Sequence, residues 1–154
     1  MNCFNVSLEK MVLKNSWILL PALLTLACPG AALCALPSIT VHVRNALPAT
    51  GTVEVSLFNS EESFMQEVYI QKSGQVSESG EFTAEFAGLE EGEYAVVAVH
   101  DENGNQAYDS GFLGFGKEGL GYSNNVRPWF GRPDFEETKF SVKTERTEIE
   151  ITLD

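Results

Sequence analysis

The residues best suited to chemistry lie in one segment, His100-Asp101-Glu102-Asn103-Gly104-Asn105-Gln106-Ala107-Tyr108-Asp109. Side-chain oxygens at Asp101, Asn103, Asn105 and Asp109, with the backbone carbonyl of Ala107 between them, fall at the alternate spacing by which a curled loop converges on a calcium ion. Two positions depart from the EF-hand pattern. Its sixth-position glycine and twelfth-position glutamate are Gln106 and Phe112 here, and the nearest substitutes for the final carboxylate are Glu102 and Glu118. With only two formal charges, from Asp101 and Asp109, such a site is expected to be weak, with a dissociation constant on the order of 10⁻⁴–10⁻³ M. The competing reading is an Asx-rich turn whose side chains bond their own backbone. Calcium is thus the one cofactor the sequence suggests, and a metal-free loop is the alternative.

Downstream, Gly111-Phe112-Leu113-Gly114-Phe115-Gly116-Lys117-Glu118-Gly119-Leu120-Gly121-Tyr122-Ser123-Asn124-Asn125 mixes glycines with aromatics. No GxxxxGK[ST] order is present, so this is not a phosphate loop. Phe112, Phe115, Tyr122, Asn124, Asn125 and Trp129, with Phe130 beside the last, are candidates for a ligand platform, because aromatic faces bind sugars and apolar groups. The alternative has the same rings folded back to plug the end of a β-sandwich.

Catalytic constellations are scarce. The three cysteines, Cys3, Cys28 and Cys34, all precede the region of alternating pattern, and the only histidines are His42 and His100. A thiol nucleophile and a zinc site are therefore poor fits. His100 beside Asp101 could serve a small hydrolase, yet no G-x-S-x-G elbow accompanies it. Asp109 and Glu118 offer a carboxylate pair on a domain too small for much of a cleft. A non-catalytic binding or accessory module is the expectation; a metal-free structural or protein-interaction domain is the alternative, and a hydrolase the least supported.

Residues 1–35 read as a secretory signal: Lys10 and Lys14 precede the apolar run Trp17–Leu26, and small residues follow at Gly30, Ala31 and Ala32. The run is too short to span a bilayer. Cleavage is expected after Ala35, with Ala32 as the other choice, and Met11 offers a second start. Cys28 invites lipidation, but Thr25 stands where a lipobox usually has leucine. Loss of Lys10, Lys14 and Glu9 leaves 8 basic against 21 acidic residues, a formal charge of −13 against −12 for the whole chain. Nucleic acid and anionic lipid are then poor partners, whereas cations, cationic proteins and neutral small molecules remain open.

Positioning falls to short strands. Ile39, Val41 and Val43 alternate with polar residues, as do Val53, Val55 and Leu57, then Phe82, Ala84 and Phe86. Tyr94–His100 is apolar on both faces, the mark of a central strand covered on both sides. Phe140 and Val142, then Ile149, Ile151 and Leu153, give two closing strands. Phe64, Met65, Val68 and Tyr69 recur at helical spacing, so one short helix or irregular crossover is expected over 61–71. The stretch 101–137 is a long loop that could hide a hairpin. Residues 36–154 are thus expected to form one all-β domain, an antiparallel immunoglobulin-like or prealbumin-like sandwich of about seven strands with one short helix.

Several of these segments together resemble a family. Gly88-Leu89-Glu90-Glu91-Gly92-Glu93-Tyr94-Ala95-Val96, the block His100–Asn105, Phe112-Leu113-Gly114, Lys117-Glu118-Gly119 and Gly121-Tyr122-Ser123-Asn124-Asn125 are similar to the bacterial DUF2141 family, with a later Phe130-Gly131-Arg132-Pro133 segment. The resemblance spans nearly all of residues 38–154 and implies an exported protein of unknown function. Gln106 stands where that family often has glycine.

Overall fold

The computed structural model describes residues 36–105, 118–143 and 146–154. Alternating apolar residues build β1 (Ser38–Arg44) and β2 (Thr52–Phe58), then β4 (Phe82–Ala87) and β8 (Arg146–Thr152), and the polar run Ile70–Gln75 forms β3. The apolar β5 spans Gly92–Asp101, and two short strands, β6 (Leu120–Tyr122) and β7 (Phe140–Val142), complete the set. These eight strands form two sheets, one ordered β4-β1-β8 and the other β3-β2-β5-β6, with β7 also paired to β5. Most pairs are antiparallel, but β1 and β8 run parallel, from Ser38 opposite Arg146 to Arg44 opposite Thr152.

Between the sheets lies the main core. Period-two alternation points Ile39, Val41 and Val43 of β1 and Phe86 of β4 at Val53, Val55 and Leu57 of β2 and at Tyr94, Val96 and Ala98 of β5. A second cluster covers the outer face of the larger sheet, where Phe58, Ala95 and Val97 meet Phe64, Tyr122 and Phe135. Phe64 packs edge-on against Phe58 at 5.4 Å and against Phe135 at 5.7 Å between ring centroids. β5 is therefore covered on both faces, as its unbroken apolar run requires.

The all-β class and the hairpin in the long loop are as expected, and the helix lies elsewhere. No helix forms over 61–71: residues 61–66 are turns, with the Ser60 hydroxyl accepting from the Ser63 amide at 3.2 Å. Met65 at φ 55° interrupts any helix there, so the spacing of Phe64 and Met65 reflects turns laid over the outer cluster. The α-helix among the described residues is instead α1 (Phe135–Thr138), whose Glu137 carboxylate accepts from the Asp134 amide at 3.1 Å. The long loop does hide a hairpin, because β6 returns antiparallel along β5. The segment expected to be a signal, including Cys28, lies outside the described residues; among those described, no helix is long and apolar enough to cross a membrane.

Candidate functional site

Because β5 alternates, His100 falls on the inner face with Tyr94, Val96 and Ala98, at the open end of the sandwich. It is 1% exposed. Its Nε2 lies 2.8 Å from the Thr50 carbonyl oxygen, and the Leu47 amide donates to Nδ1 at 3.4 Å. This suits the tautomer with the proton on Nε2. Both ring nitrogens are thus engaged by the β1–β2 connection, while the His100 amide donates to Gly119 at 2.8 Å. The imidazole ties β5 to that connection, and the backbone amide of the same residue ties it to the return to β6. Glu102 Oε1 lies 3.7 Å from Nδ1 on the solvent side.

Asp101 follows on the outer face, where its Oδ1 accepts from the Gly104 amide at 2.7 Å. Asn103 Oδ1 accepts from the Asn105 amide at 2.9 Å, and its Nδ2 donates to Glu118 Oε1 at 3.2 Å. Two of these acids are buried, Asp101 at 7% and Glu118 at 5% exposure. Of the five expected calcium ligands, Asp101, Asn103 and Asn105 share this turn, and Ala107 and Asp109 lie outside the described residues. Among the described residues no three acidic, histidine or cysteine side chains gather as a metal cluster.

A pocket of about 320 Å³ opens beside His100, walled by Leu47 and Pro48 and edged by Glu102, Glu118, Gly119 and Asp154. Nearby, β6 runs close to the opposite sheet: a Cβ on Gly121 would lie 2.5 Å from Ile151 Cγ2. Only glycine lets that strand sit so close. At the start of β2, Gly51 has φ +63°, and a Cβ there would lie 2.1 Å from the Asp101 carbonyl oxygen.

The expected platform residues do not share one surface. Phe112 and Phe115 lie outside the described residues, Tyr122 is buried in the outer cluster at 6% exposure, and Trp129 is 102% exposed. The SNN block is a clamp. Buried Ser123 accepts from the Val96 amide at 3.0 Å and donates to the Thr138 carbonyl at 2.6 Å, filling the edge of β5 between β6 and β7. Asn124 Nδ2 donates to the carbonyls of Glu137 (3.1 Å) and Lys139 (3.0 Å), satisfying groups at the end of α1. Asn125 donates to the Glu150 carbonyl at 3.1 Å and accepts from the Thr152 amide at 2.8 Å, which is how a neighbouring strand would pair with β8. Sequence reasoning missed this role; the run of three short polar residues directly after an aromatic strand residue was the available signal.

With the His100–Asn105 turn, the GLGY strand and the SNN clamp in place, the match to known sequences acquires a structural meaning. The family described as "Uncharacterized protein conserved in bacteria (DUF2141)" matches residues 41–150. The chain belongs to this family. In this DUF2141 protein the matched region runs from within β1 to within β8. No curated protein matches the chain. Two solved structures are similar over most of their length. An alternative pilotin from the type II secretion system of Vibrio cholerae is 17% identical, with 76% of this chain and 96% of that chain covered, at a TM-score of 0.37. The major plantain pollen allergen Pla l 1 is 10% identical, with 73% and 91% covered, at a TM-score of 0.30. Neither likeness extends to function.

Proposed function

We propose that this DUF2141 protein is an exported, non-catalytic binding or accessory domain whose ligand end is the pocket beside His100. The observation that carries the reading is the engagement of His100: with Nε2 on the Thr50 carbonyl and Nδ1 facing the Leu47 amide, it supports the pocket wall and offers no free nitrogen to a substrate. The edge of the pocket carries Glu102, Glu118 and Asp154, the last also paired with Arg127, a net acidic rim that suits a cationic group on a protein or small molecule. The segment 1–35 supports export. A lysine-rich peptide titrated into the labelled protein should move amide resonances at Leu47, Glu102, Gly119 and Asp154 first, and Glu102→Gln/Asp154→Asn should abolish that pattern. Shifts spread evenly over the acidic surface would refute the assignment. A hydrolytic activity lost in His100→Ala but kept by an equally folded Glu102→Gln variant would revive catalysis.

The bonds from Asp101 and Asn103 to the Gly104 and Asn105 amides favour a loop ordered without metal. Calcium is the second reading, supported by burial of the Asp101 and Glu118 carboxylates at the two ends of the connection. Thermal unfolding in EDTA and then in millimolar calcium separates the two. Calcium at ten times its dissociation constant adds about 1.4 kcal/mol, a rise of several degrees that Asp101→Ala/Asp109→Ala must lack. No shift at several millimolar removes calcium from the account.

A further inference from the structure

Among the described residues the largest apolar exposure lies on the connection between the SNN clamp and α1. Trp129 is 102% exposed and Phe130 93%. They sit in Arg127-Pro128-Trp129-Phe130-Gly131-Arg132-Pro133, a stretch bracketed by prolines. Gly131 turns at φ +75°, and a Cβ there would meet nothing within 4 Å, so that side of the turn is open. The core does not use these rings. Residues 119–133 contain no aspartate or glutamate, in a chain whose net charge is −12. Arg127 pairs with Asp154 at 2.5 Å, and Arg132 makes no ion pair among the described residues.

We propose that this tip docks on the surface of a phospholipid bilayer, Trp129 and Phe130 entering the headgroup layer and Arg132 meeting lipid phosphate. Area and shape select a lipid over a protein occupant. Two rings bury roughly 300–500 Å², short of the about 800 Å² that each partner gives to a stable protein interface. A bilayer needs no complementary shape, and indole is favoured at its interface. Arg132 beside the rings matches the phosphate layer. The excess negative charge of the whole chain favours zwitterionic over strongly anionic lipid.

The test uses the full chain carrying Trp17→Phe, which leaves Trp129 as the single tryptophan of the two. Vesicles of phosphatidylcholine with brominated acyl chains should shift Trp129 emission to the blue and quench it, a readout that reports the tip itself even if the N-terminal segment also binds lipid. Phe130→Ala should weaken the quenching partition about tenfold, and Arg132→Glu should weaken it through loss of the phosphate contact, with unfolding midpoints unchanged because neither side chain is packed. Emission that stays unshifted and unquenched as lipid is raised overturns the proposal. So does a blue shift that grows with protein concentration in vesicle-free buffer, which would place a second copy on the tip.

Discussion

Replacing Ser123 with alanine removes one oxygen atom and orphans two buried backbone groups. The Val96 amide loses its acceptor at 3.0 Å and the Thr138 carbonyl its donor at 2.6 Å, at a residue with 0% exposure. Neither group has a neighbouring strand to turn to, since β6 ends at Tyr122 opposite Val97 and β7 begins at Phe140 opposite Tyr94. A buried group left unsatisfied costs about 1–3 kcal/mol, so the pair should cost about 3 kcal/mol. In a domain of this size that lowers the midpoint by roughly 10–15 °C. Urea unfolding followed by far-ultraviolet circular dichroism gives the free energy, and an unchanged m-value keeps the comparison two-state. Asn124 supplies the control: its bonds to Glu137 and Lys139 are at the surface. Asn124→Gly, which preserves the left-handed conformation at φ 61°, should lose only about 0.5–1 kcal/mol. If Ser123→Ala costs no more than Asn124→Gly, burial does not set the value of these bonds and the clamp is not what joins β6 to β7.

Two further outcomes follow from particular atoms. Gly51→Ala should destabilise by more than about 3 kcal/mol, combining the left-handed penalty with overpacking against the Asp101 carbonyl 2.1 Å away; Gly104→Ala, at φ +76° with nothing within 4 Å, should cost only the first part, about 1–2 kcal/mol. Equal urea midpoints for the two would refute the steric account. Burial, and then the neighbouring Tyr69, hold the Tyr94 hydroxyl above the ordinary tyrosine range despite its bond to the Glu90 carbonyl. The folded value is raised, so the stabilisation is complete below the ordinary value and is lost as pH rises through the folded one. Tyr94→Phe should therefore be less stable than wild type at neutral pH, by about 1 kcal/mol for the lost bond, and the gap should narrow at alkaline pH; a gap independent of pH would contradict it.

Strands with one buried face announced themselves. Ile39, Val41 and Val43, or Val53, Val55 and Leu57, must alternate because a slip of one residue would put all of them in water. β5 was legible from its unbroken apolar run. β3 was not, because Ile70-Gln71-Lys72-Ser73-Gly74-Gln75 is an edge strand with a single large apolar residue, held by backbone pairing to β2. The parallel pairing of β1 with β8 leaves no periodic trace either, since alternation marks a face and not a neighbour. At the site, the oxygen spacing of Asp101, Asn103 and Asn105 did mark a tight turn, and the turn's own amides take up Asp101 Oδ1 and Asn103 Oδ1. The use of Tyr122, Asn124 and Asn125 could not be read from residue type. An aromatic or an amide serves a ligand or a scaffold equally well until the fold sets what lies opposite it.

The parallel seam between the first and last strands bears on the order of events after synthesis. β1 finds one neighbour in β4 but its other in β8, and Ser38 waits for Arg146. The smaller sheet therefore stays open until β8 has left the ribosome, and closure over so long a separation places the domain among slow-folding topologies. A chain wired this way remains threadable while it is being made. Losing its last ten residues would strip the founding strand of half its ladder, so trimming at the far end is felt first at the beginning.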